Sequence, residues 1–210
     1  MKRALIPILS LSICLSVFWQ WTDGFSAFTV FSYTLNKAGE MPRAFPSLKI
    51  ITQDSAIVDL EEVPKFKLLN FVYLNCPYAC HKINNRIGEI YPFFNDSSKK
   101  EVEVEFYTLS FDLERDHLQK IKNYRSLYGD EIEHWTFALP FQFTNQEFQR
   151  LLKEIGIWAY KAPENGMINH SLYLYLISPE NKIIKIFDPT REKNGYIIQE
   201  IRRCLKSVKA

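Results

Sequence analysis

The sequence predicts an α/β fold, a mixed central sheet flanked by helices, preceded by an N-terminal membrane anchor. Three observations carry this reading. From about residue 50, apolar stretches of strand length alternate with stretches of helical spacing, and the chain ends on two adjacent strands and a helix. Apolar residues make up 47% of the 210 and aromatics 15%, which suits one packed core; 7 Gly and 10 Pro exclude low-complexity sequence. Residues 4–22 carry no charge, directly behind Lys2 and Arg3.

Those two residues also account for the net charge of +2 (26 basic against 24 acidic), so the rest of the chain is balanced. Composition demands no basic face, and nucleic acid is not an expected partner.

Taken in order, residues 1–22 read as a signal-anchor or transmembrane segment. Nineteen uncharged residues just reach across a hydrocarbon core of about 30 Å, and Trp19 and Trp21 suit the interface. The exit Phe18-Trp19-Gln20-Trp21 is too bulky for a small-x-small cleavage site, so an uncleaved anchor is expected. Cys14 reads as an apolar residue within the span. The positive-inside rule places the rest of the chain outside the cytoplasm, a single-pass arrangement. Residues 23–49 read as a tether and leading strand or hairpin, with Phe28–Thr34 as the strand and Gly39, Pro42 and Pro46 as breaks.

Residues 50–210 form the folded domain. Phe66–Leu74 is largely apolar, as expected of a strand buried on both faces. A helix over 78–95, a strand over Val102–Phe111 and a helix over 114–128 follow, the last stopped by Gly129. His134–Leu139 is a short strand. Thr144 with Glu147 opens a helix that ends at Gly156. Ser171–Ile177 and Lys182–Phe187 are strands joined by a Pro-containing turn, and a final helix over about 195–208 puts Ile197, Ile201, Leu205 and Val208 on one face. Cys204 shares that face as a small buried residue, and Tyr173, Tyr175 and Phe187 read as core and sheet surface.

The chemistry concentrates where the first buried strand meets its helix, in Asn75-Cys76-Pro77-Tyr78-Ala79-Cys80-His81. Pro77 suits the first turn of a helix, and unpaired amides there favour a thiolate at Cys76. A spacing of four puts Cys80 on the same face. Two such sulfurs exchange with disulfides or hold a soft metal such as Cu(I). A structural disulfide is the plain alternative, although so short a loop removes little chain entropy. Two sulfurs leave a metal short of ligands. Of the four histidines, His117 and His134 read as surface residues, and His81 points about 100° away from the chelating face. His170 ends the loop Lys161–Asn169 and enters a strand expected beside the one bearing the cysteines, so its loop overhangs the same sheet end.

Cys76-Pro77-x-x-Cys80, Ser110-Phe111-Asp112-Leu113-Glu114-Arg115-Asp116 and Asn169-His170-Ser171 followed by Tyr175–Pro179 together resemble the SCO/SenC family, over roughly residues 50–205. The resemblance implies a thioredoxin-like fold behind one N-terminal helix. It also implies one copper ion, as Cu(I) or Cu(II), held by Cys76, Cys80 and His170. The implied role is a membrane-tethered copper chaperone for the dinuclear copper site of cytochrome c oxidase subunit II, or another copper or thiol client. Its place would be the cell inner membrane, with the C-terminal domain on the periplasmic, extracytoplasmic side. Asp112, Arg115 and Asp116 have no ligand role in it and read as structural. Four positions depart from the family's usual pattern: Asn169 stands where Asp precedes the histidine, His81 and Leu113 stand where Pro is frequent, and Tyr78 replaces an acidic residue.

The rival reading is a thiol–disulfide oxidoreductase that uses Cys76 and Cys80 as a redox-active pair and has no need of His170. A peroxidase is disfavoured because Tyr73, rather than Thr or Ser, stands three residues before Cys76.

Overall fold

The structure, a computed structural model, describes residues 2–77, 79–95, 104–129 and 132–209, with side chains from residue 6 to residue 207 of these. Tyr78, residues 102 and 103 of the expected second strand, and the side chain of Val208 lie outside the described residues. In chain order the elements are α1 (Lys2–Trp21), α2 (Val30–Lys37), β1 (Arg43–Ala44), β2 (Lys49–Thr52), β3 (Ile57–Asp59), β4 (Phe66–Val72), α3 (Ala79–Ile90), β5 (Val104–Ser110), α4 (Leu118–Arg125), β6 (Trp135–Pro140), α5 (Asn145–Glu154), β7 (Ala159–Lys161), β8 (Ile168–His170), β9 (Leu174–Ile177), β10 (Lys182–Phe187) and α6 (Asn194–Lys209).

Eight strands form one mixed sheet in the order β1-β10-β9-β4-β5-β6-β2-β3, and β7 with β8 form a separate hairpin. β4, β5 and β6 run parallel, while β9 lies antiparallel against β4 with Leu69 opposite Tyr175. Every residue of β4 is buried, Lys67 and Asn70 included, as befits a largely apolar central strand. Its side chains alternate between two cores. Phe66 and Leu68 join Ile83 and Ile87 of α3, Ile121 of α4 and Ile197, Ile201 and Leu205 of α6 on one face. Leu69 and Phe71 join Phe148, Leu151 and Leu152 of α5 on the other. That second core reaches Cys76 and Cys80 at the carboxyl end of β4. The parallel strands thus deliver their βα junction to one end of the sheet, and the chain, on its way into β9, carries His170, four residues before that strand, to the same end.

Three expectations are corrected. Phe28–Thr34, read as a strand, is mostly helix α2. Its alternating aromatic and β-branched residues favour a strand locally, but Thr29 caps the helix. Thr29 Oγ1 accepts from Ser32 N and Ser32 Oγ accepts from Thr29 N, each at 3.1 Å. Tertiary packing completes the override: the Phe31 and Trp158 rings meet edge-on at 5.3 Å. Within 23–49 the structure has the short strand β1, paired with β10, and the first antiparallel hairpin falls later, as β2–β3 over Lys49–Asp59. The loop Lys161–Asn169 is likewise partly a hairpin, with Ala159 opposite His170 and Lys161 opposite Ile168.

Gly156 ends the α5 segment at φ +90°, and a Cβ there would stand 2.9 Å from Leu35 Cδ1 and 3.1 Å from Leu35 Cα. It is both a left-handed turn residue and the seat of α2. Gly156→Ala is expected to cost about 1–3 kcal/mol by thermal unfolding and to speed proteolysis between α1 and β1. An unchanged cleavage rate would show that α2 is held by other contacts.

Among the described residues, no helix is long and apolar enough to cross a membrane. The apolar side chains of α1 from Ile6 to Trp21 are nevertheless exposed, with Ile6 at 74% and Trp21 at 79%.

Candidate metal centre

After β4 the chain turns sharply, Cys76 N donating to Tyr73 O at 3.1 Å, before α3 opens two residues beyond Pro77. Cys80 N donates to Cys76 Sγ at 3.3 Å, so the sulfur accepts one of the amides that a helix N-terminus leaves unpaired. Neither cysteine is in a disulfide, and both are buried, with 7% and 1% exposed. The hydrogen bond to the Cys76 side chain, and then burial, push the Cys80 thiol well above its ordinary range. The expected helix-end acidity therefore does not extend to Cys80, which is a neutral thiol at pH 7.

His170 closes β8 and is 8% exposed. Its Nδ1–H donates to Ser171 O at 2.8 Å, which fixes the tautomer and leaves the Nε2 lone pair free. Nε2 lies 3.7 Å from Cys80 Sγ. Burial lowers the pKa of the imidazole, so it is neutral at pH 7. Phe111 and Tyr73 meet the ring edge-on at 4.7 and 5.9 Å between centroids and hold its plane. Residue 169, where the family's usual pattern has Asp, does not orient the imidazole. Asn169 is exposed, its side chain alternating away from that of His170 along β8, and a backbone carbonyl does the work instead.

The structure thus brings Cys76, Cys80 and His170 to one end of the sheet. Among the described residues, no three His, Cys, Asp or Glu side chains stand ready to hold a metal ion as they are oriented. The pair Cys80 and His170 is already in register, and Cys76 is hydrogen-bonded to Cys80. A cleft of about 420 Å³ opens beside the imidazole, lined by Ser26, Phe28, Phe31, His170, Tyr173 and Arg191 among others.

The other residues singled out lie elsewhere. His81 turns away toward the Tyr128 hydroxyl at 3.4 Å and the Tyr124 ring. His117 precedes α4 without a side-chain cap bond, and His134 Nδ1 is 3.1 Å from Glu105. Cys14 is exposed and Cys204 half-buried. Tyr175 and Phe187 are fully buried core residues. The sequence reading missed the Ser171 carbonyl and the Tyr73–Phe111 walls; a backbone acceptor has no sequence signature, and the two rings come from different βα loops.

The SCO1/SenC family model matches residues 44–206. Protein SCO1 homolog 1, mitochondrial, of Arabidopsis thaliana is 20% identical over 175 residues, covering 80% of this chain and 50% of that protein. The chain therefore spans about half the length of this curated relative. The crystal structure of Arabidopsis thaliana ScoI with copper bound superposes with a TM-score of 0.63 at 18% identity, over 80% of this chain and 99% of that one. The structure of BsSco, described with a disulfide switch and as a member of the Sco family of cytochrome c oxidase assembly proteins, gives a TM-score of 0.64 at 19% identity, over 80% of this chain and 96% of that one. At these identities the superpositions show the thioredoxin-like α/β fold. With the family model matched from β1 into α6, the chain belongs to the SCO1/SenC family.

Proposed function

We propose that the chain binds one copper ion through Cys76, Cys80 and His170. Its role is then to serve cytochrome c oxidase assembly as a chaperone for the dinuclear site of subunit II. Copper here is cargo, and the donor set fits it: two soft sulfurs suit Cu(I), and the imidazole also accommodates Cu(II). The observation that carries the reading is the 3.7 Å between Cys80 Sγ and His170 Nε2, with Nδ1 committed to a carbonyl. Bonds of about 2.0–2.3 Å, meeting at roughly 120°, span such a gap. Rotation of the Cys76 side chain out of its hydrogen bond with Cys80 supplies the third ligand. The test is metal analysis of the full chain purified reduced. About one copper per chain is expected; zinc, or no metal, overturns the reading.

Uptake must displace the proton of the Cys80 thiol, because that thiol is neutral at pH 7. His170 is neutral above its lowered pKa and contributes none. Copper binding is therefore expected to release at least one proton, and affinity to fall at least about tenfold for each pH unit of acidification. Titration in two buffers of different ionisation heat measures the released protons; pH-independent affinity would show that a pre-formed thiolate binds the metal.

Two cysteines outside any disulfide and in mutual hydrogen-bond contact also favour the second reading, a dithiol that reduces client cysteines. The two readings share the pair, since a Cys76–Cys80 disulfide has no thiolates left for copper.

The tether belongs to the same proposal. The uncharged run of residues 4–22 and the exposed apolar surface of α1 support an inner-membrane anchor with the domain on the extracytoplasmic side. Alkaline extraction of membranes is expected to leave the full chain in the pellet; release into the supernatant overturns the anchor.

A further inference from the structure

We propose that Arg115 is a positioning residue that holds the His170 hairpin over the cysteines, and that Asp112, Arg115 and Asp116 form one clamp between the two ligand-bearing segments. This rests on the copper reading for its consequence, but not for its geometry.

The clamp has two jaws. Asp116 Oδ2 accepts from Leu74 N at 2.9 Å and from Ser110 Oγ at 2.5 Å, which pins the β4–α3 loop two residues before Cys76. Asp116 is buried, with 6% exposed, so the carboxylate is an interior brace. Arg115 is the other jaw. Its Nε pairs with the buried Asp112 carboxylate, and its Nη1 donates to Gly166 O at 2.9 Å, in the turn of the β7–β8 hairpin. Four residues further on, that hairpin carries His170.

The guanidinium also lies 6.0 Å from the Tyr73 ring centroid, and Tyr73 is one of the two walls against the imidazole. One side chain therefore touches the cysteine-bearing loop through Tyr73 and the histidine-bearing hairpin through Gly166. The turn is shaped to meet it. Gly166 has φ +66°, and a Cβ there would stand 3.2 Å from Arg115 Nη1. Arg115 Nη2 is buried with no hydrogen-bond partner among the described residues, so the hairpin jaw is held by a single terminal nitrogen. A purely structural ion pair would end at Asp112; this one continues across to a loop 51 residues away.

The test separates the two jaws. In the metal-free full chain, Arg115→Gln is expected to raise hydrogen exchange at the Ala162 and Gly166 amides at least about tenfold while β4 and β5 stay protected. In the same variant copper affinity is expected to drop about 10- to 100-fold, with the Cys76–Cys80 reduction potential unmoved. Asp116→Asn is expected to shift that potential, because it loosens the cysteine loop. Arg115→Lys restores charge without the planar fork and is expected to recover the affinity only in part. Should Arg115→Gln fold poorly, Gly166→Ala opens the same jaw with Arg115 intact. Unchanged exchange of the hairpin amides overturns the clamp, as does an affinity loss that merely follows global stability. A wild type that binds no copper while the exchange result holds overturns the copper reading and leaves the clamp standing.

Discussion

Replacing His170 by alanine is expected to abolish stoichiometric copper binding while leaving dithiol exchange by Cys76 and Cys80 intact. The imidazole presents Nε2 to Cys80 Sγ at 3.7 Å, and its Nδ1 bond to Ser171 O keeps Nε2 free of a proton. Removing a ligand outright should exceed the roughly 10- to 100-fold penalty for losing an outer-shell partner. Cys76→Ser and Cys80→Ser should abolish copper as well, and exchange with it. His81→Ala is the control, since its ring faces Tyr124 and Tyr128 and leaves the site untouched. Equilibrium competition against a Cu(I) chelator reads the first property, and reduction of a small disulfide reads the second. Undiminished copper in His170→Ala would sink the three-ligand site.

The largest expected effect on stability lies on the opposite face of the sheet. Asn84 of α3 is fully buried. Its Oδ1 accepts from Asn70 Nδ2 at 2.8 Å, and its Nδ2 donates to the Tyr124 hydroxyl at 3.2 Å. Asn70 Oδ1 in turn accepts from Thr108 Oγ1 at 2.7 Å, which accepts from Trp135 Nε1 at 3.0 Å. The chain ties β4, β5 and β6 to α3 and α4 in a place where water cannot substitute. Asn84→Ala strands a donor on Asn70 and opens a void, at a cost of about 2–4 kcal/mol. Urea denaturation with an unchanged slope reads that loss. The double variant Asn70→Ala with Asn84→Ala should cost less than the two single losses added, because the two share one bond. Strict additivity would show that the asparagines act independently.

Long, strongly periodic segments were legible. The apolar run of β4, the Thr144–Glu147 capping box before α5 and the Ile197–Ile201–Leu205 stripe of α6 each state their structure locally, and the structure agrees. The approach of His170 to Cys80 was also legible, since β9 lies beside β4 and the segment leading into it passes over the same end of the sheet. Segment 28–34 was not, because its local preference and its tertiary seat disagree. Thr29 and Ser32 form a capping box without the usual Glu or Gln, and Gly156 receives Leu35 of α2 from far along the chain. The roles of Arg115 and Asp116 were hidden for a related reason. Their partners, Gly166 O and Leu74 N, are backbone atoms of distant loops, and no pattern of residue types encodes a backbone acceptor.

The docking of α2 has a consequence for how cargo travels. Leu35 against Gly156 and Phe31 against Trp158 make the stretch between α1 and the domain a stiff bracket, and Phe28 and Phe31 form one wall of the cleft at His170. With α1 embedded as proposed, the mouth of that cleft keeps a fixed bearing and a short radius from the lipid headgroups. A protein built this way does not fish for its recipient on a long line. Under that proposal it would drift in the plane of the bilayer until a neighbour at the same height collided with it, and the pace of handover would follow two-dimensional encounter and scale with how crowded that sheet of lipid is.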